Sequence, residues 1–496
     1  MTSERIPHKL EAHLRDINPW WRGKPSPEPP RFRRWAFGTV LKKMDAGLAP
    51  AVVLRGPRQV GKTTLQFQMI DYLMKERHVD PRRIMRVQFD ELPSLEGFGD
   101  PFLSIARWFQ EHVLGRTFNE AARDKEAAYL FFDELHILPS WAPQLKALVD
   151  HHTVKVFVTG SSALRIEAGR DSLAGRLTTV DIGTLLLREI SALSGGPEIA
   201  PHLPHNGLEP LLHFEFWQAL QAHGESRREA RDRAFKAFSE RGGYPVAHGQ
   251  AAMPWAELAD QLNETVIRRV IQHDLLTGGK SAKRDQALLE EAFRLACRYA
   301  GQAPAKAFFI REVKNALGKD VSWQRISRAL NLLDGSLLLK LVHPAELRLK
   351  KTGGHGDKLC LCDHGLRASW LQEVVPLDSE GLERAPHLAD LAGHLAESVA
   401  GYFLAGLPHL DLAYFPARSA EPEVDFILSV GDRRIPLEVK YRRRLDELED
   451  TQGLRAFLEK RANNAPFGIL VTMTDDVRVR DPRIITVSLP SLLLLR

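Results

Sequence analysis

Eight consecutive residues constrain this chain more than any other feature. Gly56-Pro57-Arg58-Gln59-Val60-Gly61-Lys62-Thr63 fits the pattern GxxxxGK[ST] without a gap. The apolar run AVVLR precedes it, and the amphipathic run TTLQFQMIDYLMK follows from Thr63 and Thr64. A buried strand, a Gly-rich loop and a helix N-terminus, in that order, turn successive backbone N–H groups toward phosphate oxygens. The pattern makes residues 56–64 a nucleotide cradle, with Lys62 reaching the β- and γ-phosphates and the Thr63 hydroxyl holding Mg²⁺. Such a loop needs a parallel α/β sheet around it. Alternating apolar and helical patterns as far as about residue 185 predict one, with further strands over 83–89, 128–133, 154–159 and 177–182.

The strand YLFF runs into Asp133-Glu134, which places an acid pair at the C-terminal edge of a parallel sheet, where α/β proteins carry their chemistry. Asp133 would position Mg²⁺ and Glu134 would orient or deprotonate the attacking water. A further strand, KVFVT, ends in Gly160-Ser161-Ser162, whose hydroxyls could meet a γ-phosphate or simply make a turn.

Taken in order, GPRQVGKTTL, LFFDELH, VTGSSA and SLAGRL resemble the bacterial and archaeal AAA+ ATPases that join an AAA_14-type domain to a DUF4143-type C-terminal domain. The resemblance implies ATP and Mg²⁺ as cofactors, Lys62 and Thr63 as nucleotide ligands, Asp133 and Glu134 as the Walker B pair, and Ser161 or Ser162 as sensor. It makes Arg176 the first candidate for an arginine finger and Arg170 the second. A finger acting in trans would require a homo-oligomer.

The segment FFIREVKNALGKDVSWQRISRALNLLDGSLLLKLVH (308–343) has the layout of a winged helix–turn–helix. Ser322 would cap its second helix, which displays Gln324, Arg325 and Arg328. The same layout also serves as a packing or dimerisation module. Cys360 and Cys362 alternate along one strand face and read as small apolar packing residues.

Near the C-terminus, EVDFIL, a Gly431-Asp432 turn and IPLEVKY predict a hairpin that brings Asp425 beside Glu438 and Lys440. Glu397 lies on the preceding helix pattern, and a helix over 445–462 follows. This is the element order of the PD-(D/E)xK nuclease fold, to which DUF4143-type domains are related. Asp425, Glu438 and Glu397 offer hard oxygen ligands for Mg²⁺ or Mn²⁺. Lys440 would orient the metal's water or stabilise developing charge. Arg433, Arg434, Arg442, Arg443 and Arg444 flank the motif and could meet nucleic-acid phosphate.

With 496 residues, the chain has room for several cores. A net charge of only +5 says little about nucleic acid, whereas the arginines near Glu438 speak for it locally. Three cysteines and no long apolar run argue against a disulfide framework and a membrane span, and point to the cytoplasm. The expected architecture is α/β and multidomain: an N-terminal extension (1–35), a P-loop AAA+ core (36–195), a helical lid (196–300), a winged-helix segment (301–380) and a restriction-endonuclease-like domain (381–496). The leading expectation is an ATP-hydrolysing protein acting on nucleic acid, DNA before RNA, with a Mg²⁺-dependent nuclease-like end. The alternatives are a nucleotide-dependent switch or scaffold, and a DNA-binding regulator.

Overall fold

The computed structural model describes all residues except 1–5, 27, 93–99, 139, 161–172, 204–206, 275–281, 346–354 and 418–420. The chain divides into two compact units, Met1–Ile182 and Gly183–Arg496.

Five strands form the sheet of the first unit: β1 (Ala51–Arg55), β2 (Ile84–Gln88), β3 (Tyr129–Asp133), β4 (Lys155–Gly160) and β5 (Leu177–Asp181). Their order is β2-β3-β4-β1-β5 and every pair is parallel. β3 is buried along its whole length, as a strand covered on both faces must be. Parallel pairing gathers the C-terminal ends of β1, β3 and β4 on one edge, with β4 between the other two. The helices Trp35–Ala46 and Lys62–Lys75 pack against this sheet. Gly47 ends the first of them with φ +63°, a left-handed stop that suits glycine.

The N-terminal segment, expected as an extension outside the core, belongs to it. Ile6, Leu10 and Leu14 enter the same apolar cluster as Val53, Leu130 and Val156. Asn18 pairs with the edge strand as a neighbouring strand would. Its amide donates to the Arg86 carbonyl at 2.9 Å, and its side-chain oxygen accepts from the Arg86 N–H at 2.7 Å. The Trp20 and Trp21 indoles both donate to the Ile84 carbonyl, at 3.0 and 2.7 Å. These contacts occupy backbone groups that an edge strand would otherwise offer to another chain.

The sequence boundaries near 300 and 380 fall inside the second unit. Helices Lys306–Leu317 and Trp323–Gly335 lead into an antiparallel hairpin of β6 (Leu339–Val342) and β7 (Lys358–Leu361). Ser322 stands at the predicted cap position, but its hydroxyl makes no capping bond. A second five-stranded sheet follows the helix Ala389–Ala405. Its strands are β8 (Asp411–Phe415), β9 (Val424–Val430), β10 (Arg433–Lys440), β11 (Gly468–Thr472) and β12 (Ile484–Ser488), in the order β12-β11-β10-β9-β8. β8, β9 and β10 pair antiparallel, whereas β10, β11 and β12 run parallel.

The single helix expected over 445–462 is broken into Glu447–Asp450 and Gln452–Leu458. Thr451 stands at the break and turns its hydroxyl back onto the Glu447 carbonyl, a local bond that competes with helix continuation. Gly453 then lets the second helix approach β9, because a Cβ there would lie 2.4 Å from the Glu423 carbonyl oxygen. Among the described residues, no helix is long and apolar enough to cross a membrane.

Candidate functional sites

The first site lies on the C-terminal edge of the parallel sheet. Gly56 leaves β1 so close to the end of β5 that an added Cβ would sit 2.3 Å from the Ile182 carbonyl oxygen. Gly61 adopts φ +92°, and Gln59 takes the left-handed region at φ +63° despite its side chain. Buried Arg34 fastens the loop by donating to the Val60 carbonyl at 2.8 Å. The Lys62 ammonium spans the mouth of the loop, donating to the carbonyls of Gly56 at 2.9 Å and Pro57 at 2.7 Å.

Asp133 ends β3 at 2% exposure and joins three elements. Its Oδ2 accepts from the Thr63 hydroxyl at 2.9 Å, across from the loop. Its Oδ1 accepts from Thr159 on β4. The Arg86 guanidinium on β2 reaches Oδ2 at 3.2 Å, and Arg86 is itself 3% exposed. Arg86 also donates to Gln88 at 2.8 Å and Gln66 at 3.3 Å and lies over the Phe67 ring. Gln66 completes the net with bonds to the Phe132 carbonyl and Thr159. Glu134 follows in the left-handed region, φ +51°, at partial exposure, so the chain turns sharply as it leaves the strand. A threonine hydroxyl and an ionisable carboxylate at 2.9 Å are a hard oxygen pair suited to Mg²⁺.

The second site lies where β9 and β10 pair. Asp425 accepts from the Val439 N–H at 2.9 Å, and the Asp425 N–H donates to Glu438 at 3.3 Å. Lys440 pairs with Glu438 at 2.7 Å. On the other side, carboxylate oxygens of Glu397, Glu423 and Asp425 lie within 4.8 Å of one another. Lys358, from β7, places its ammonium among them: it bonds to Glu397, stands 3.0 Å from Asp425 and 3.4 Å from Glu423, and is 1% exposed. Its charge also lies near the rings of Phe426 and Tyr414.

Burial pushes the Glu397 carboxyl well above the usual range, and neighbouring Asp425 adds to it against the pull of Lys358. Burial works the same way on Asp425, but Lys358 and the bonds from Glu397 and the Val439 N–H outweigh it and hold it low. Two acids that close divide their charge unequally. Glu438 is pushed up to about 8 by burial and then by Asp425. Lys358 stays charged although burial opposes it, because Asp425, Glu397 and Glu423 surround it.

Two family models match this chain. AAA_14, described as an AAA domain, matches residues 49–191, and DUF4143, a domain of unknown function, matches residues 392–492. The chain joins an AAA domain to a DUF4143 domain. Among curated proteins it is 23% identical to an uncharacterized protein of Haemophilus influenzae over 64% of this chain and 68% of that one. It is 24% identical to an uncharacterized protein of Methanocaldococcus jannaschii over 64% of this chain and 61% of that one, less than two thirds of the relative. Solved structures with some likeness include the Aeropyrum pernix Orc1 protein in complex with DNA, at TM-score 0.29, 14% identity, and coverage of 77% of this chain and 98% of that one. The Saccharomyces cerevisiae Hsp104–ADP complex gives TM-score 0.28, 13% identity, and coverage of 65% and 41%.

Within the AAA domain, the structure brings Lys62, Thr63 and Asp133 together on one edge, with Glu134 next in the chain. Ser161, Ser162 and Arg170 lie outside the described residues. Arg176 is not brought to this edge. It directly precedes β5, its carbonyl accepts from the Ala51 N–H at the start of β1, and its guanidinium pairs with Asp150. The length of β1 separates it from the loop of its own chain, roughly 16 Å for five strand residues. A finger role in cis is therefore excluded by the strand register.

Within the DUF4143 domain, Asp425, Glu438 and Lys440 adjoin as the hairpin predicts, but the close carboxylate trio differs from the expected one. Glu423 takes the place assigned to Glu438, which faces Lys440 instead. The flanking arginines are less available than their number suggests. Arg442 pairs with Asp450, Arg443 with Glu383, and Arg434 donates to the carbonyls of Ala462 and Asn463. Sequence reasoning missed Arg86, Thr159, Glu423 and Lys358. The signal available for Arg86 and Lys358 was a charge inside an apolar strand pattern, IMRVQ and KLCL.

Proposed function

We propose that this protein hydrolyses ATP at the loop of its AAA domain and acts on nucleic acid, with a C-terminal site built for phosphodiester cleavage. The contact between Thr63 and Asp133 carries the first half. It sets a loop hydroxyl and a strand-end carboxylate side by side next to Lys62, as a phosphoryl-transfer site requires. Thr63 and Asp133 would hold Mg²⁺, which neutralises charge on the phosphates when bound. Lys62 would leave the carbonyls of Gly56 and Pro57 for phosphate oxygens, and Glu134 would orient the attacking water. Arg176 would serve only the loop of a neighbouring copy, which makes the active form an oligomer.

Support for the nucleic-acid half is the placement of Asp425 beside Glu438 and Lys440, together with a helix that exposes Gln324, Arg325 and Arg328. Asp425, Glu397 and Glu423 fit Mg²⁺ or Mn²⁺ as a donor set. A second reading, a nucleotide-dependent switch whose C-terminal domain does not cut, is favoured by one observation: Lys358 already stands among those carboxylates.

The test combines ATP turnover with cleavage of DNA and RNA in Mg²⁺ or Mn²⁺. Lys62→Ala should abolish nucleotide binding and turnover. Asp425→Ala should abolish cleavage and leave turnover intact. Turnover by Lys62→Ala at the wild-type rate would refute the ATPase reading. Absence of any cleavage, with Asp425→Ala and wild type alike, would leave the switch reading. Arg325→Ala with Arg328→Ala should weaken DNA binding and flatten its salt dependence by about one phosphate contact for each residue.

A further inference from the structure

We infer that Lys358 is the resident cation of the DUF4143 domain, and that a divalent ion enters the carboxylate cluster only by displacing it. The inference rests on the proposal that this cluster takes Mg²⁺ or Mn²⁺, and concerns what controls its entry.

The geometry is competitive. Carboxylate oxygens of Glu397, Glu423 and Asp425 lie within 4.8 Å of one another. An ion about 2.0–2.6 Å from each of three such oxygens must stand between them. The Lys358 ammonium stands beside one oxygen of each, bonded to Glu397, 3.0 Å from Asp425 and 3.4 Å from Glu423. An ammonium and a divalent cation cannot share that space. Their mutual repulsion in a site excluded from water adds to the steric conflict.

Lys358 is also held there by the fold. It opens β7, whose next residue exchanges bonds with the preceding chain: the Gly301 N–H donates to the Leu359 carbonyl at 2.7 Å, and the Leu359 N–H to Gln302 at 2.9 Å. Further along, the Leu361 N–H donates to the Ser398 hydroxyl at 2.9 Å, which fixes the hairpin to the helix carrying Glu397. The other strand of the hairpin runs on to β8, with Ala345 and His343 bonded to Tyr414. The lysine therefore comes from the hairpin that follows the helix–turn–helix segment, whereas the carboxylates come from the helix Ala389–Ala405 and from β9 and the residue before it. Metal entry and the seating of that hairpin become one linked equilibrium: whatever lifts the hairpin favours the ion, and the ion favours the lifted hairpin. This reconciles a complete acidic cluster with a chain that keeps it closed.

The experiment measures Mn²⁺ binding to the full-length, nucleotide-free chain by the electron paramagnetic resonance of free Mn²⁺. Wild type, Lys358→Met, Asp425→Asn and the Lys358→Met/Asp425→Asn double variant are compared, with Asp425→Asn defining the background from other sites. Lys358→Met should bind Mn²⁺ at least about tenfold tighter than wild type, and the double variant should lose that binding. Equal Asp425-dependent binding by wild type and Lys358→Met overturns the inference and leaves the metal site standing. No Asp425-dependent binding in any variant overturns the metal site and the inference with it. If Lys358→Met fails to fold, wild type decides. Acetylation of Lys358, read by mass spectrometry, should rise severalfold at Mn²⁺ concentrations that fill the Asp425-dependent site. Unchanged acetylation overturns the inference.

Discussion

Replacing Arg86 with methionine tests how the AAA domain keeps the Asp133 carboxylate inside the protein. Arg86 and Asp133 are 3% and 2% exposed, so neither charge is offset by water. Removing one partner of such a pair leaves the other charge buried and uncompensated, at a cost of about 3–5 kcal/mol. Asp133 keeps the hydroxyls of Thr63 and Thr159, which places the cost at the lower end. Methionine fills much of the arginine stem's volume, so packing loss is small. For a unit the size of Met1–Ile182, each kcal/mol moves the midpoint by about 2–4 °C, so about 3 kcal/mol lowers it by roughly 6–12 °C. The assay is calorimetry of the full chain, following the transition that nucleotide shifts upward. Arg86→Met, Asp133→Asn and the double variant form a cycle. The double variant should cost less than the sum of the singles by more than about 1 kcal/mol. A shift below about 2 °C for Arg86→Met, or additive costs, would refute the view that Arg86 is the counter-charge of Asp133.

Three further outcomes follow from the geometry. Glu134→Gln should bind nucleotide normally but turn it over at least about a hundredfold more slowly, checked by equilibrium binding against steady-state turnover. Gly56→Ala sets a Cβ 2.3 Å from the Ile182 carbonyl oxygen, so the loop or the end of β5 must move. A loss of about 1–3 kcal/mol, with weakened nucleotide binding, should appear in thermal unfolding and titration. Asp475, which burial would push up, is instead held at about 2 by Arg231, Ser488 and Gln221. Because its folded value is depressed, its contribution is fully present above the unfolded value near 4 and is lost as pH falls toward about 2. The term amounts to roughly 2 kcal/mol, and Asp475→Asn should flatten the acid limb of the urea midpoint over that window.

The parts legible in the sequence are those whose residues act through near neighbours in the chain. The loop from Gly56 to Thr63 is contiguous, and its strand, turn and helix are fixed by local pattern. Asp425, Glu438 and Lys440 are separated only by a two-residue turn and the period of two along a strand. Arg86 and Lys358 show in the sequence only as charges in apolar strands, because Asp133 and Asp425 lie 47 and 67 residues away and no local period connects them. Asn18 and the Trp20-Trp21 pair failed for the same reason: a polar, charged segment gives no sign that its amide and indoles will complete a strand 63–68 residues on. The break at Thr451 shows the reverse error. The helical pattern runs through it, and only the hydroxyl's bond to the Glu447 carbonyl and the approach of Gly453 to β9 interrupt it.

The two acidic sites meet the same physical demand in opposite ways. A carboxylate withdrawn from water at a strand end must be given a counter-charge or must take up a proton. At Asp133 the counter-charge is Arg86, on the neighbouring strand. Arg86 and Thr63 share Oδ2, from the strand side and the loop side, so the threonine–carboxylate pair stays together. At Asp425 the counter-charge is Lys358, and it occupies the space between the carboxylates themselves. The first arrangement fixes a carboxylate from the neighbouring strand and leaves Thr63 on the same oxygen. The second fixes it by placing the ammonium among three carboxylates. On the proposals above, the AAA loop takes its ligand once Lys62 leaves the Gly56 and Pro57 carbonyls, whereas the C-terminal cluster takes an ion only once Lys358 leaves it. The difference predicts that exchanging the side chains has unequal effects. Arg86→Met should weaken the AAA site, while Lys358→Met should open the C-terminal one.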